Sequence, residues 1–125
     1  MIAAGKTWRR KFAVAIRGLG ISIREQPSFW VHLPVALCII ALAAWLHLEP
    51  WRWVAILISI TVVLSAELMN TAIERLVSVL HPQRDPRIGD VLDTAAASVF
   101  IAAIGAVAVG CVVLIGPLIR MLSER

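Results

Sequence analysis

Long apolar runs dominate the pattern of hydrophobic and polar positions along the chain. There are three of them, at residues 29–48, 51–80 and 90–115. Each is long enough to cross a bilayer as a helix, which takes about 20 predominantly apolar residues. Because these runs occupy most of the 125 residues, no room is left for a separate soluble domain. We predict an all-α integral membrane fold, a single domain over residues 1–125 with three transmembrane helices.

A different periodicity precedes the first run, between residues 5 and 25. Large apolar residues recur there at steps of three and four, as on one face of a helix: Trp8, Phe12, Ile16, Leu19 and Ile23. Arg10, Arg17 and Arg24 recur every seven residues on another face. A basic helix with such a stripe tends to lie in the interface plane of a membrane. We therefore predict an N-terminal amphipathic surface helix that ends before Pro27.

Composition and charge add an orientation to this interpretation. Hydrophobic residues make up 60% of the chain, and the net charge of +4 comes without an aromatic-basic pattern suited to nucleic acid. Six lysines and arginines precede the first run and two lie in the second loop, against one in the first loop and two in the tail. By the positive-inside rule, the N-terminus and the second loop are cytosolic. A cleavable signal peptide is not expected, because the first apolar run begins only near Phe29.

Polar side chains interrupt the second run in the segment AELMNTAIERL. Glu67, Asn70 and Glu74 are spaced at i, i+3 and i+7, which places them on one face of a helix within two turns. Counting the rise from the outer end puts Glu74 near the cytosolic interface and Glu67 about 10 Å deeper. Asp90 and Asp93 begin the third run at the same level. Ionisable groups at this depth are costly and usually functional.

The chemistry that this cluster favours is metal-assisted phosphoryl transfer. Unpaired carboxylates gathered together would be unstable without a cation, and Mg²⁺ commonly binds through one or two carboxylates plus substrate phosphates. The deeper Glu67 would then act as a base on a hydroxyl held at headgroup depth. The competing interpretation is that these side chains only join helices by hydrogen bonds. Three of them at helical spacing, facing a second acidic pair, favour the functional interpretation.

The segments AELMNTAIERLVSVL and GDVLDTAAASV resemble the prokaryotic diacylglycerol kinase family, which includes undecaprenol kinases. The resemblance, which also includes IRGL in the first helix, implies a homotrimer in a bacterial inner membrane, with sites composed between neighbouring subunits and MgATP as co-substrate. It implies that Glu67 is the catalytic base and that Glu74 binds the metal. It places Asn70, Asp93 and Arg10, with Glu74, near the nucleotide.

Two positions depart from the pattern of this family. Gln26 stands where a second metal-binding glutamate is expected, although Glu25 is one residue away. Leu92 stands where the family has a lysine before the aspartate of the last helix. Arg84 or Arg87 of the second loop would have to supply that positive charge to a phosphate.

Three functions follow from these observations. The first is a lipid kinase that uses ATP and Mg²⁺, with diacylglycerol and undecaprenol both open as acceptors. The second is a catalytically weakened or non-catalytic membrane protein that keeps the same fold, for which Gln26 and Leu92 argue. The third, a small ion conductor lined by carboxylates, is disfavoured because no polar stripe continues to the outer face.

Overall fold

Four α-helices form the structure, a computed structural model that describes residues 7–125. They are α1 (Trp8–Glu25), α2 (Phe29–Trp45), α3 (Pro50–Leu80) and α4 (Pro86–Ser123). This part of the chain contains helices and no strand, which confirms the predicted all-α class. Residues 5 and 6, which the sequence assigned to the surface helix, lie outside the described range.

The helices differ in how they could relate to a bilayer. α3 and α4 are each long and apolar enough to cross one, whereas α2 passes the same test only together with α1. α2 has 17 residues, a length of about 25 Å, just short of the hydrocarbon core of about 30 Å. α1 meets α2 at a bend of 106°. α1 therefore runs across the direction of the spans, as a surface helix must.

The corner between α1 and α2 lies where the proline predicted it. Gln26 is the C-cap of α1 and has an extended backbone, with φ −104° and ψ 115°, because a residue before proline is kept out of the helical region. The indole Nε1 of Trp30 donates to the carbonyl oxygen of Ile23 at 3.1 Å. This bond satisfies a carbonyl at the end of α1 and holds the first turn of α2 against it.

The last helix differs from the expected range of 90–115 at both ends. It begins at Pro86 because Asp85 is its N-cap, whose side chain accepts from the backbone N–H of Arg87 at 2.9 Å. Proline suits the first helical position, where its missing N–H would have no partner in any case. The helix then continues to Ser123, through Pro117, so the prediction of an end near Ile115 was wrong.

Arg52 explains how α4 passes through a proline. Pro117 has no N–H, so the carbonyl of Val113, four residues earlier, loses its helical partner. Nη1 of Arg52, in the first turn of α3, donates to this carbonyl at 2.9 Å. Val113 is only 2% exposed, so its carbonyl would otherwise be buried without a donor. The same bond joins the start of α3 to the last part of α4.

Packing differs between the two ends of the bundle. We call the end at the turn between α2 and α3 the outer end, and the opposite end, at the loop between α3 and α4, the inner end. α3 and α4 form the most extensive contact, and α2 also packs on α3. At the outer end the core is a cluster of apolar residues: Ala43, Leu46, Leu48, Ile56, Val113 and Leu114. Large apolar side chains elsewhere on α4 point outwards; Phe100, Ile101 and Val107 are 66–69% exposed. Faces of this kind suit acyl chains rather than water.

Candidate active site at the inner end of α3

Glu67 is a buried carboxylate on the long helix α3. It is 3% exposed, and Thr71, one turn further along, is 2% exposed. Thr71 donates from its hydroxyl to the backbone carbonyl of Glu67 at 2.9 Å, so it leaves the carboxylate itself untouched. Within residues 7–125, Oε2 of Glu67 is buried and has no hydrogen-bond partner. A buried acceptor of this kind is costly unless a donor reaches it.

Asn70 and Glu74 continue the same face towards the inner end. Nδ2 of Asn70 donates to Oε1 of Glu74 at 3.0 Å. Oδ1 of Asn70 is buried and, among the described residues, has no partner. Two acceptors without donors, those of Glu67 and Asn70, therefore lie one turn apart on α3. The spacing that the sequence predicted thus produces a polar face with two buried acceptors for which residues 7–125 supply no donor.

The depth of this face follows from the length of α3. Its 31 residues extend about 45 Å, which exceeds the hydrocarbon core. With the tryptophans Trp51 and Trp53 at the outer interface, Glu67 lies about 20 Å further in and Glu74 about 10 Å beyond it. This count predicts that Glu67 lies inside the inner boundary of the hydrocarbon layer and that Glu74 lies close to that boundary.

An ion pair brings the surface helix to the same place. The guanidinium of Arg75 donates to the carboxylate of Glu25, which joins the end of α1 to the inner part of α3. Arg75 follows Glu74 in the chain, so the end of α1 contacts the same turn of α3 that carries Glu74. Sequence reasoning missed Arg75, because its partner is 50 residues away and nothing in the local pattern indicates the pairing. Gln26 is half-buried at the cap of α1.

A cleft of about 600 Å³ opens next to Glu74. This inner cleft lies between the last turns of α3, the loop after it and the first turns of α4. Its polar lining consists of Glu74, Ser78, His81, Gln83, Arg84 and Asp85, and Leu92 contributes to its apolar wall. A smaller cleft of about 250 Å³ lies at the opposite end of the bundle, near Arg52 and Arg120. Of these two clefts, the inner one adjoins the face that carries Glu67.

The two arginines of the second loop are placed differently. Arg84 lines the inner cleft, whereas Arg87 pairs with Asp85 at 2.9 Å. Hydrogen bonds from the side chain and then the backbone of Arg87 hold the pKa of Asp85 below its usual value of 3.8. Of the two candidates that the sequence left open for a phosphate-facing charge, the geometry therefore favours Arg84.

Other predicted site residues are not brought into this face within one chain. Asp90 and Asp93 are exposed on α4, and Arg10 is exposed on α1. Arg10 precedes Glu25 by about four helical turns, a distance of about 22 Å along α1. Residues 7–125 contain no group of three or more His, Cys, Asp or Glu side chains placed to hold a metal. The convergence of at least four carboxylates that we expected is not formed by this part of a single chain.

The carboxylates of Glu74 and Glu25 are of the kind that holds Mg²⁺ in proteins. Glu74 uses one oxygen to accept from Asn70, and Glu25 uses one to accept from Arg75. Each carboxylate therefore keeps a second oxygen for a ligand. Mg²⁺ retains several waters and is usually held by one or two carboxylates together with substrate phosphates rather than by an all-protein cage.

Comparisons with known proteins agree with the sequence pattern. The family profile described as prokaryotic diacylglycerol kinase matches residues 13–114. A diacylglycerol kinase of Synechocystis sp. is 31% identical to this chain over 112 residues, which cover 89% of the chain and 64% of that protein. The chain therefore spans less than two thirds of the length of this relative. The residues matched by the family profile include the polar face of α3 and the lining of the inner cleft, and they exclude Arg10.

Proposed function

The chain belongs to the prokaryotic diacylglycerol kinase family, and we propose that it is an integral membrane lipid kinase that transfers the γ-phosphate of ATP to a lipid hydroxyl. The observation that carries this proposal is Oε2 of Glu67, which is buried and has no hydrogen-bond partner within residues 7–125. A hydroxyl supplies the donor that this oxygen lacks. Diacylglycerol and undecaprenol both carry a hydroxyl, and both are included as acceptors.

Glu67 is the general base of the proposed reaction. The lipid hydroxyl donates a hydrogen bond to Oε2 of Glu67. As the hydroxyl oxygen forms a bond to the γ-phosphorus, the hydroxyl proton passes to the Glu67 carboxylate. The bond from that phosphorus to the β–γ bridging oxygen breaks, and ADP leaves. Protein groups contribute mainly position and charge in such transfers. Asn70 adds to the positioning, since its Nδ2 holds Glu74 and its free Oδ1 is a second acceptor next to Glu67.

The nucleotide is proposed to bind on the cytosolic side, in the inner cleft. Glu74 lines this cleft and, with Glu25, would hold Mg²⁺, while Gln26 is a neutral oxygen donor at the end of the same helix. Bound Mg²⁺ supplies neutralisation of the phosphate charge. The link between Arg75 and Glu25 supports this set, because it joins the end of α1 to the turn of α3 that carries Glu74.

A homotrimer is part of the proposal. Asp93 and Arg10 are exposed in one chain, and in the proposed trimer they would contribute to the nucleotide site of a neighbouring subunit. The extensive exposed apolar faces of α4 leave room for contacts with other subunits and with lipid. We place the N-terminus on the cytosolic side of a bacterial inner membrane, because the basic residues are concentrated in the N-terminal segment and the second loop.

Removal of the base tests the proposal directly. Glu67→Gln keeps the size of the side chain and removes the proton acceptor, so transfer from labelled ATP to either lipid in mixed micelles should fall by about 10²–10⁴-fold. Glu124→Gln, at the exposed outer end of α4, is the matched control and should keep normal turnover. Size-exclusion chromatography checks that the oligomer is intact. Undiminished transfer by the Glu67→Gln protein would remove the assignment of the base.

A non-catalytic member of the family is the second candidate function. Leu92 in the cleft wall offers no charge to a phosphate, and Glu25 is already engaged by Arg75. A ligand that binds only the native state raises its apparent stability, so MgATP should raise the melting temperature of a kinase. A purified protein that MgATP does not stabilise, and that phosphorylates neither lipid, would support the non-catalytic function instead.

A further inference from the structure

In the proposed reaction the negatively charged phosphates of ATP would lie next to a carboxylate in the inner cleft. Bound Mg²⁺ would offset only part of this negative charge. Glu74 presents a carboxylate to this space, Asp85 is already paired with Arg87, and Leu92 contributes an uncharged side chain from α4. The cleft volume of about 600 Å³ is within the range of small-molecule sites. A phosphate chain next to Glu74 would be stabilised further by a positively charged donor from the same cleft.

Most donors around the cleft are already engaged within the protein. The backbone N–H of Arg87 bonds to Oδ1 of Asp85, and those of Ile88 and Gly89 bond to its carbonyl oxygen, so the first turn of α4 offers few free donors. The guanidinium of Arg87 is paired with Asp85 at 2.9 Å. Nδ1 of His81 lies 3.0 Å from the carbonyl oxygen of Gln83.

Arg84 is the cation that remains in the lining. In the described part of the chain it takes part in no salt bridge or side-chain hydrogen bond, while it borders the same space as Glu74. Its planar guanidinium can form two parallel hydrogen bonds to a phosphate, which a lysine or an imidazole cannot. We propose that Arg84 binds the phosphate chain of the nucleotide from the loop side of the cleft. The inference rests on the proposed function for the presence of a nucleotide and deepens it by naming the residue that recognises it.

The test compares the two loop arginines in the full-length protein in a neutral detergent. Arg84→Ala and the longer Arg84→Gln should each raise KM for ATP by about tenfold, as expected for the loss of a charge-assisted contact. Arg87→Ala is the matched control, since this arginine is engaged by Asp85, and should leave KM within about twofold of the unchanged protein. Stabilisation against heat by ATP and by ADP should fall with Arg84→Ala, whereas any stabilisation by adenosine should not change.

A second variant separates charge from fold. Leu92 borders the same cleft, so Leu92→Lys combined with Arg84→Ala should restore most of the lost ATP affinity. An unchanged KM and unchanged ATP stabilisation in the Arg84→Ala protein, with normal lipid phosphorylation, would overturn the role of Arg84 and leave the kinase in place. If ATP does not stabilise the unchanged protein and no phosphate is transferred from ATP to either lipid, both the role of Arg84 and the proposed kinase function are overturned. If Arg84→Ala alters stabilisation by phosphatidylglycerol but not by ATP, Arg84 binds lipid headgroups and the inference is also overturned.

Discussion

The bond from Arg52 to the carbonyl of Val113 should be a major stabilising contact between α3 and α4. Arg52→Ala removes the donor at 2.9 Å and leaves that carbonyl facing Pro117, which has no N–H. Val113 is 2% exposed, so water does not replace the donor. An orphaned buried acceptor costs about 1–3 kcal/mol, and we expect the free energy of unfolding to fall by that amount.

Other contacts of Arg52 would also be lost and have to be separated from this bond. Nε of Arg52 lies 3.6 Å from Oε1 of Glu49, and the guanidinium lies 4.4 Å from the ring centroid of Trp51. The Glu49 side chain is 57% exposed, so this ion pair contributes about 1 kcal/mol or less. Pro117→Ala separates these contributions, because an alanine at this position has an N–H that can bond to the carbonyl of Val113 within the helix.

A double-mutant cycle isolates the bond to the carbonyl. Unfolding of the four proteins in mixed detergent micelles can be followed by far-UV circular dichroism. In the otherwise unchanged protein, Arg52→Ala should lower the free energy of unfolding by about 1–3 kcal/mol. In the Pro117→Ala background it should lower the free energy of unfolding only by the contributions of the ion pair with Glu49 and the stacking on Trp51. Equal losses in both backgrounds would show that Arg52 does not act through the proline-freed carbonyl.

Two further predictions concern the inner end of the bundle. Phe29 is fully buried at the corner between α1 and α2, so Phe29→Ala should lower the free energy of unfolding by about 3–5 kcal/mol. Phe12→Ala is the control, because Phe12 is 64% exposed, and it should lower the free energy of unfolding far less. Similar losses in the two variants would contradict the burial of Phe29. The pKa of Asp85 is held below 3.8 by hydrogen bonds from Arg87, so its stabilisation of the start of α4 is present above that value and is lost as the pH falls through the lowered pKa. An NMR titration that follows the backbone amide of Arg87 should give a midpoint below pH 3.8. In the Arg87→Ala protein, followed through a neighbouring amide, this midpoint should rise. A midpoint at or above the usual value in the unchanged protein would refute the assignment.

Local pattern was enough for most of the architecture. The stripe of Trp8, Phe12 and Ile16 predicted the surface helix, and the all-helical fold with long apolar helices is confirmed. The family resemblance that rested on the ExxNTAIE segment is confirmed as well. These features depend on residues within a few turns of one another, where the periods of the helix relate sequence directly to position.

Local pattern misjudged α4, for a reason that lies elsewhere in the chain. Gly116 and Pro117 are typical helix terminators, and from the sequence alone the helix should stop before them. It continues because Arg52, 61 residues earlier than Val113, supplies the missing donor. In this protein, therefore, the tertiary structure overrides a helix terminator by supplying a donor to the carbonyl that the proline frees.

The sequence by itself determined the membrane class and the polar face of Glu67, Asn70 and Glu74, because helical periodicity converts spacing into position; the depth of that face stays a prediction. Only the tertiary structure decided that Glu67 is buried against protein with an acceptor unfilled, that Arg75 brings Glu25 to α3, and that Arg84 lines the cleft while Arg87 is held by Asp85. Each of these depends on contacts between separate helices and loops. Such contacts are set by how the chain packs as a whole, and no repeat or spacing along one segment encodes them.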